Sequence, residues 1–510
     1  MQKYLLAHDI GTSGNKATLF TIDGELVASK VYSYGAKYFN GCWAEQNPED
    51  WWDAVCNSTR YITQGIDKNQ IAAISFSGHS NGCLCIDKNG NLLRNSIIHS
   101  DQRAVEEVKQ ISKKIDARGI YEITGNKLSP AFSIEKFMWV KNNEPEIYKN
   151  TYKMLSTKDY IVFKLTGEAL TDYTDASMTG AFDLKTRKWS EKIIDITGIY
   201  RDKLPEIYDS TYVAGGITSK AAEEIGLKVG TPVVIGGGDG QTGFFGIAGT
   251  NTDNVYNYIG STSTVNLASN QLVFDREMQS TINCHPVPGY YKYYATMQTA
   301  GTSYNWVKNE ICVSEINKAR RMKVSPYVLM DNQIEKSAPG ANGIIFLPYL
   351  MGERSPYWNP NAKGAFIGLN AFHKREDILR AVLEGIAFNL NINLRTITKH
   401  LSTPIKSVVV YGGGAKGKIW RQIIADIFNV TVQRPNYLEE GASIGAAVLA
   451  GIGVGVFKDY DVINRFIKIG DELIPNKENR EIYDRMQVIF ENSYKALTGI
   501  YDELAALKNT

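Results

Sequence analysis

A short strand–turn–strand pattern occurs twice in this chain, about half its length apart. The first copy runs Leu5-Leu6-Ala7-His8-Asp9-Ile10-Gly11-Thr12-Ser13-Gly14-Asn15-Lys16-Ala17-Thr18-Leu19. The second runs Val255-Tyr256-Asn257-Tyr258-Ile259-Gly260-Ser261-Thr262-Ser263-Thr264-Val265. Glycine lets a backbone approach a ligand closely, and successive N–H groups beside hydroxyls form an anion-binding concavity. Two such turns in one chain point to two lobes gripping one polyphosphate from opposite sides.

A chain of 510 residues exceeds one ordinary hydrophobic core, so two or three domains are expected. Small and polar residues cluster at Gly246–Asn254, which places the boundary there and gives domains of 1–248 and 249–510. Acids and bases are interspersed with a net charge of +2, which points to neither nucleic acid nor a membrane surface. Cys42, Cys56, Cys83, Cys85, Cys284 and Cys312 show no metal-ligand spacing. They read as thiols of a reducing compartment, and the first residues read as a strand rather than a signal peptide. A cytoplasmic location is therefore expected. The apolar run Gly441 to Phe457 is Gly/Ala-rich and short for a membrane span, so it reads as a buried helix.

Strands are expected at Lys3–His8, Lys16–Ile22, Leu26–Tyr34, Ile71–Ser77, Val233–Ile235 and Ser407–Tyr411. Helices are expected from Pro48, over 101–117 and 133–149, after Ser156, near 300–310, over Arg375–Thr398 and Ile419–Phe428, and over a charged tail at 477–507.

Three motifs carry competing readings. Gly78-His79-Ser80-Asn81-Gly82 matches the G-x-S-x-G elbow of serine hydrolases. That elbow needs a following helix, whereas Cys83 to Gly90 reads as another strand and an Asn-Gly turn. Gly238-Asp239-Gly240-Gln241-Thr242-Gly243 and Gly412-Gly413-Gly414-Ala415-Lys416-Gly417 both match the G-x-G-x-x-G dinucleotide fingerprint. After the second, Arg434 rather than an acid ends the next strand, so the ribose-binding carboxylate is missing. An NADP-dependent oxidoreductase and a non-catalytic actin-like ATP-binding protein stand as alternative classes.

Phosphoryl transfer needs phosphate cradles, a metal, and a carboxylate that accepts the proton of the attacking hydroxyl. Asp9, at a strand end beside Gly11-Thr12-Ser13, can hold Mg²⁺ through water or cap its turn. Asp239 can face a ligand cleft or N-cap the helix that follows it. Asp101 and Arg103 can bind sugar hydroxyls or cap the next helix.

Together these segments resemble the FGGY family of carbohydrate kinases, with its α/β, two-lobed actin/hexokinase-like (ribonuclease H-like) fold and interdomain active site. The resemblance also rests on Trp43-Ala44-Glu45-Gln46-Asn47-Pro48-Glu49-Asp50-Trp51-Trp52, Lys136-Phe137-Met138-Trp139, and Leu347-Pro348-Tyr349-Leu350-Met351-Gly352-Glu353-Arg354-Ser355-Pro356. Gly364-Ala365-Phe366-Ile367-Gly368-Leu369 and Arg380-Ala381-Val382-Leu383-Glu384-Gly385 complete it. It implies ATP and Mg²⁺ as cofactors, Asp239 as general base and Asp9 as organiser of the metal. Gly11, Thr12, Ser13, Lys16, Gly260, Ser261 and Thr262 would meet the phosphates, and Gly413, Gly414 and Ala415 the adenosine. His79, Ser80, Asn81, Asp101, Arg103 and Gln241, together with Asp239, would meet the sugar. A homodimer is expected as well.

Within the family the chain is most similar to xylulose kinases, with gluconate kinases close. Where xylulose kinases usually carry Gly-Gln-Met-His-Gly, this chain has Asn81 in place of the substrate-facing His. L-xylulose, another ketose, gluconate or a polyol such as erythritol therefore stand beside D-xylulose as substrates.

Overall fold

The computed structural model describes residues 3–399 and 404–507. Two compact units result, and they interleave along the chain. The first takes the described residues of 1–250, 268–292 and 440–468, and the second those of 251–267, 293–439 and 469–510.

The first unit is built on a six-stranded sheet in the order Val213–Gly216, Pro232–Gly238, Ile71–Gly78, Tyr4–Ile10, Gly14–Thr21, Leu26–Ser33. The Pro232–Gly238, Ile71–Gly78 and Tyr4–Ile10 strands are mutually parallel, and the remaining pairs are antiparallel. The parallel strands are almost continuously buried because both their faces are covered. Helix Pro48–Ile62 covers one face. Pro48 starts it, the Asn47 side chain caps the Glu49 N–H, and Trp51, Trp52, Val55 and Ile62 are buried.

Helix Gly441–Gly453 is the buried helix expected from the apolar run. It packs on the Tyr4–Ile10 and Ile71–Gly78 strands and on helix Asp239–Ala248. The two helices touch backbone to backbone: a Cβ on Gly246 would lie 1.8 Å from the Gly441 carbonyl oxygen, and one on Gly445 2.2 Å from that of Thr242. Glycine therefore sets their separation. Among the described residues no helix is long and apolar enough to cross a membrane.

The second unit carries the neighbouring strands Asn254–Ile259, Ser407–Tyr411, Thr431–Pro435 and Ile469–Leu473 in that spatial order. Asn254–Ile259 and Ser407–Tyr411 run parallel, with Tyr258 level with Tyr411. Helices Arg375–Thr398, Lys418–Phe428 and Arg480–Ala506 pack together beside them.

Two expected helices differ. The 101–117 pattern yields a helix only over Val105–Ser112, because the Asp101 carboxylate binds Arg103 and the Ala44 N–H and holds 101–104 out of helical geometry. The 133–149 pattern breaks into Ser133–Asn143 and Pro145–Asn150, since Pro145 has no N–H to continue the ladder.

Candidate active site

In the first unit, sheet register brings the acidic motifs together. Asp9 pairs with Ser77, and Ser77 with Gly237, across three neighbouring parallel strands. These positions lie at the carboxyl ends of the strands, where open α/β sheets bind ligands. Ser77 Oγ donates to Asp9 Oδ1 at 3.1 Å. Asp239 is the first residue of helix Asp239–Ala248, and Gly238 takes the N-cap position, so the cap reading of Asp239 does not hold. The Gly240 N–H donates to Asp239 Oδ1 at 2.6 Å. Burial, reinforced by the charge of Asp9, pushes the Asp239 carboxyl up to about 7. Burial likewise raises Asp9, against the Ser77 hydrogen bond and the charge of Lys16.

The Gly11–Gly14 turn is fixed from several sides. The Gly11 N–H donates to the Gly14 carbonyl at 3.0 Å, Tyr34 Oη donates to the Gly11 carbonyl at 2.5 Å, and Gln46 Nε2 donates to the Thr12 carbonyl at 2.7 Å. Thr12 is half-buried and Ser13 exposed. Lys16 sits opposite Asp9 in the antiparallel register and pairs with Glu440 at 3.3 Å.

The residues of the 78–82 segment differ in what they are bonded to. His79 is buried against Trp51 with ring centroids 5.3 Å apart, hydrogen-bonds Thr157 Oγ1 at 3.1 Å, and is driven down to about 3 by burial. It is a neutral core residue. Ser80 Oγ donates to Asp175 Oδ1 at 2.6 Å, and Asp175 pairs with buried Lys158 at 3.2 Å. Asn81 differs from both. Its backbone is left-handed at φ 63°, its carbonyl accepts from Lys136 Nζ at 2.9 Å, and its Oδ1 has no hydrogen-bond partner. Strand Leu84–Ile86 follows instead of a helix, so the hydrolase elbow has no support.

Asp101 and Arg103 are both buried and largely satisfy each other. Asp101 accepts from Arg103 Nη2 at 2.7 Å and from the Ala44 N–H at 2.5 Å. The Arg103 guanidinium lies 4.0 Å from the Trp43 ring and 4.8 Å from that of Trp139. Gln241 Nε2 reaches Asn283 Oδ1 at 3.4 Å, and Asn283 continues to Asn126 Oδ1 at 3.5 Å. Asn283 and Lys292, which also faces Asp239, carried no motif in the sequence and come to the site only through folding.

In the second unit a cavity of about 650 Å³ opens beside the later glycine turns. Gly260, Ser261, Gly413 and Gly414 line it, whereas Ala415 is fully buried and Thr262 is outside its lining. Its aromatic wall was not legible from the motifs: Tyr304 lies 5.6 Å from Trp420 and 5.1 Å from Tyr327, and Tyr304 Oη donates to Asp331 Oδ1 at 2.9 Å. The volume lies within the range of small-molecule sites.

A family model described as the N-terminal domain of the FGGY family of carbohydrate kinases matches residues 4–246, and one for the C-terminal domain matches 255–454. A xylulose kinase from Staphylococcus xylosus is 32% identical over 492 residues, covering 96% of this chain and 99% of its own. A gluconokinase from Bacillus licheniformis is 30% identical over 506 residues, covering 99% and 98%. Among solved structures, a xylulose kinase from Lactobacillus acidophilus superposes with a TM-score of 0.91 at 29% identity, covering 98% of this chain and all of that one. A gluconate kinase from the same organism gives 0.92 at 28%, covering 99% and 100%. With both its domain models matched in order and relatives aligned end to end, this chain belongs to the FGGY family of carbohydrate kinases.

Proposed function

We propose that this carbohydrate kinase transfers the γ-phosphoryl group of ATP to a terminal hydroxyl of a pentulose, with xylulose as the leading substrate. The observation that carries this reading is the placement of Asp9 and Asp239 at the carboxyl ends of the two parallel strands that flank Ile71–Gly78, in one unit, with Asp239 poised near neutrality. Asp239 takes the proton of the acceptor hydroxyl, and the N–H groups and hydroxyls of Thr12 and Ser13 meet the transferring phosphoryl group. The cavity in the second unit receives the nucleoside between the Gly413 turn and the aromatic wall. Its ATP requirement suits a cytoplasmic enzyme.

Mg²⁺ fits the donors available. Asp9 offers a half-buried carboxylate with hydroxyl-bearing residues beside it, all hard oxygen donors. Among the described residues no cluster of three or more His, Cys, Asp or Glu side chains forms a metal cage. That suits an ion that keeps much of its water and takes phosphate oxygens as ligands. When bound, it would neutralise charge on the phosphates.

A gluconate kinase is the second reading, because gluconokinases match this chain as fully as xylulose kinases do. Asn81, whose Oδ1 is left without a protein donor, is the residue of the 78–82 segment best placed to choose between sugars. Asn81→His is expected to raise kcat/KM for D-xylulose relative to other sugars about tenfold, since a site built to hydrogen-bond one hydroxyl discriminates strongly against sugars that lack it. Histidine tolerates the left-handed backbone there better than most residues. An unchanged order of preference across a panel of pentuloses, aldonates and polyols would remove Asn81 from specificity.

Gly413 tests the nucleotide cavity separately. A Cβ there meets nothing within 4 Å, and the residue faces the cavity. Gly413→Val should fill the floor of the cavity and raise KM for ATP about tenfold, a cost of about 1.4 kcal/mol, while the melting temperature and the KM for sugar stay near wild type. Equal ATP affinity in the variant would place the nucleotide elsewhere.

A further inference from the structure

Lys292 is placed where a lysine is costly. It is 6% exposed, on strand Tyr291–Met297, and its Nζ passes 5.4 Å from the Phe244 ring centroid. Nζ donates to the Gly240 carbonyl at 2.6 Å, in the first turn of helix Asp239–Ala248. Burial alone disfavours an ammonium, and the N-terminal end of a helix is already the positive end of its dipole. A hydrogen bond to one carbonyl does not require a charge. Asp239, in the same helix turn, offsets only part of that cost, and burial still pulls the Lys292 amine down to about 7; the charges of Asp9 and Asp175 act in turn on Asp239. His285 also faces Lys292, and burial keeps its ring neutral.

We infer that Lys292 is the positioning residue of the transfer step: through the Gly240 carbonyl it pins the first turn that carries Asp239 and sets its amine beside that carboxylate. This rests on the proposed role of Asp239 as base. Without Lys292, the Gly240 turn would lose its anchor and the Asp239 carboxylate its neighbouring amine. Binding of sugar and ATP should be little affected, because neither contact belongs to the adenosine cavity or to Asn81. The loss should fall on kcat.

The test compares Lys292→Met, which keeps the stem and removes the amine, with Lys292→Arg. Sugar-dependent ADP release is first established with the wild-type protein, and Asp239→Asn is assayed in parallel; an active Asp239→Asn variant would sink the base assignment and not the placement of Lys292. The expected result is a fall in kcat of tenfold or more for Lys292→Met with both KM values within twofold, and at least partial recovery of kcat in Lys292→Arg. Lys292→Met with wild-type kcat overturns the inference. So does a kcat loss of equal size in both variants, or a loss accompanied by a matching rise in either KM. Melting temperatures of both variants separate a misfolded Lys292→Met from an inactive one: if it does not fold, Lys292→Gln takes its place with the same expected split.

Discussion

Asp239→Asn is expected to lower kcat by at least a hundredfold while leaving ATP affinity close to wild type. A positioned general base contributes roughly 10²–10⁴-fold, and asparagine keeps the shape of the side chain while losing the ability to accept a proton. The Gly240 N–H can still donate to the amide oxygen, so the first turn of the helix should stay in place. The same variant carries a second signature. In the folded protein, burial and the charge of Asp9 keep the Asp239 proton bound up to about 7, whereas in the unfolded chain it leaves near the ordinary aspartate value of 3.8. A raised carboxyl pKa means that stability falls as pH rises between those two values and that the full penalty is present above pH 7. Asparagine has no such penalty. Asp239→Asn should therefore melt at a higher temperature than the wild type above neutrality and at the same temperature in acid. Wild-type turnover should rise as pH passes through about 7, because the base must be ionised to act. Turnover within a few-fold of wild type in the variant would remove Asp239 as the base, and a lower melting temperature at pH 8 would contradict its burial as a charged group.

Gly236→Ala should have the largest effect on folding. Gly236 lies in strand Pro232–Gly238 with φ at +73°, and an added Cβ would sit 1.8 Å from the carbonyl oxygen of Phe76 on the neighbouring strand. Neither group can move away, since both are backbone inside one sheet. The register between the two strands shifts between Val234 and Gly237, which is where this close approach occurs. The left-handed backbone costs about 1–2 kcal/mol for a non-glycine residue, and the clash adds an overpacking cost of about 1–3 kcal/mol. A loss of about 3 kcal/mol or more is expected, read as a lowered denaturant midpoint or as failure to accumulate folded protein. Because the strand leads directly into Asp239, activity should vanish with the fold. A variant with unchanged midpoint would show that this sheet does not have the geometry described.

Much of this architecture was legible because it is written locally. The Arg375–Thr398 helix and the Ser407–Tyr411 strand follow from periodicity and bounding turn residues, and both have the ends expected of them. Asp9 and Asp239 were legible because each ends an apolar strand inside a glycine-rich turn. What could not be read locally is which polar groups are spent on one another. His79 and Ser80 share one short motif with Asn81, yet packing against Trp51 commits the first and Asp175 commits the second. Asp101 and Arg103, two residues apart, are joined with Trp43 and Trp139 in a buried cluster that no spacing announces. Lys292 and Asn283 belong to strands far along the chain and acquire meaning only from what folding sets beside them. The same holds for Tyr304, Tyr327 and Asp331, which form the cavity wall with Trp420. Trp420 lies three residues past Gly417 but carried no motif of its own. The interleaving of the two units is also non-local: helix Gly441–Gly453 follows the second glycine turn in sequence but packs against the sheet that holds Asp9.

ADP release measured over a panel of pentuloses, aldonates and polyols decides whether this chain spends ATP on a sugar acceptor through Asp239. ADP formation is expected to depend on one sugar or sugar acid, to match the phosphorylated product in amount, and to disappear in Asp239→Asn. ADP release at the same rate with and without every sugar in the panel, or undiminished in Asp239→Asn, would contradict it.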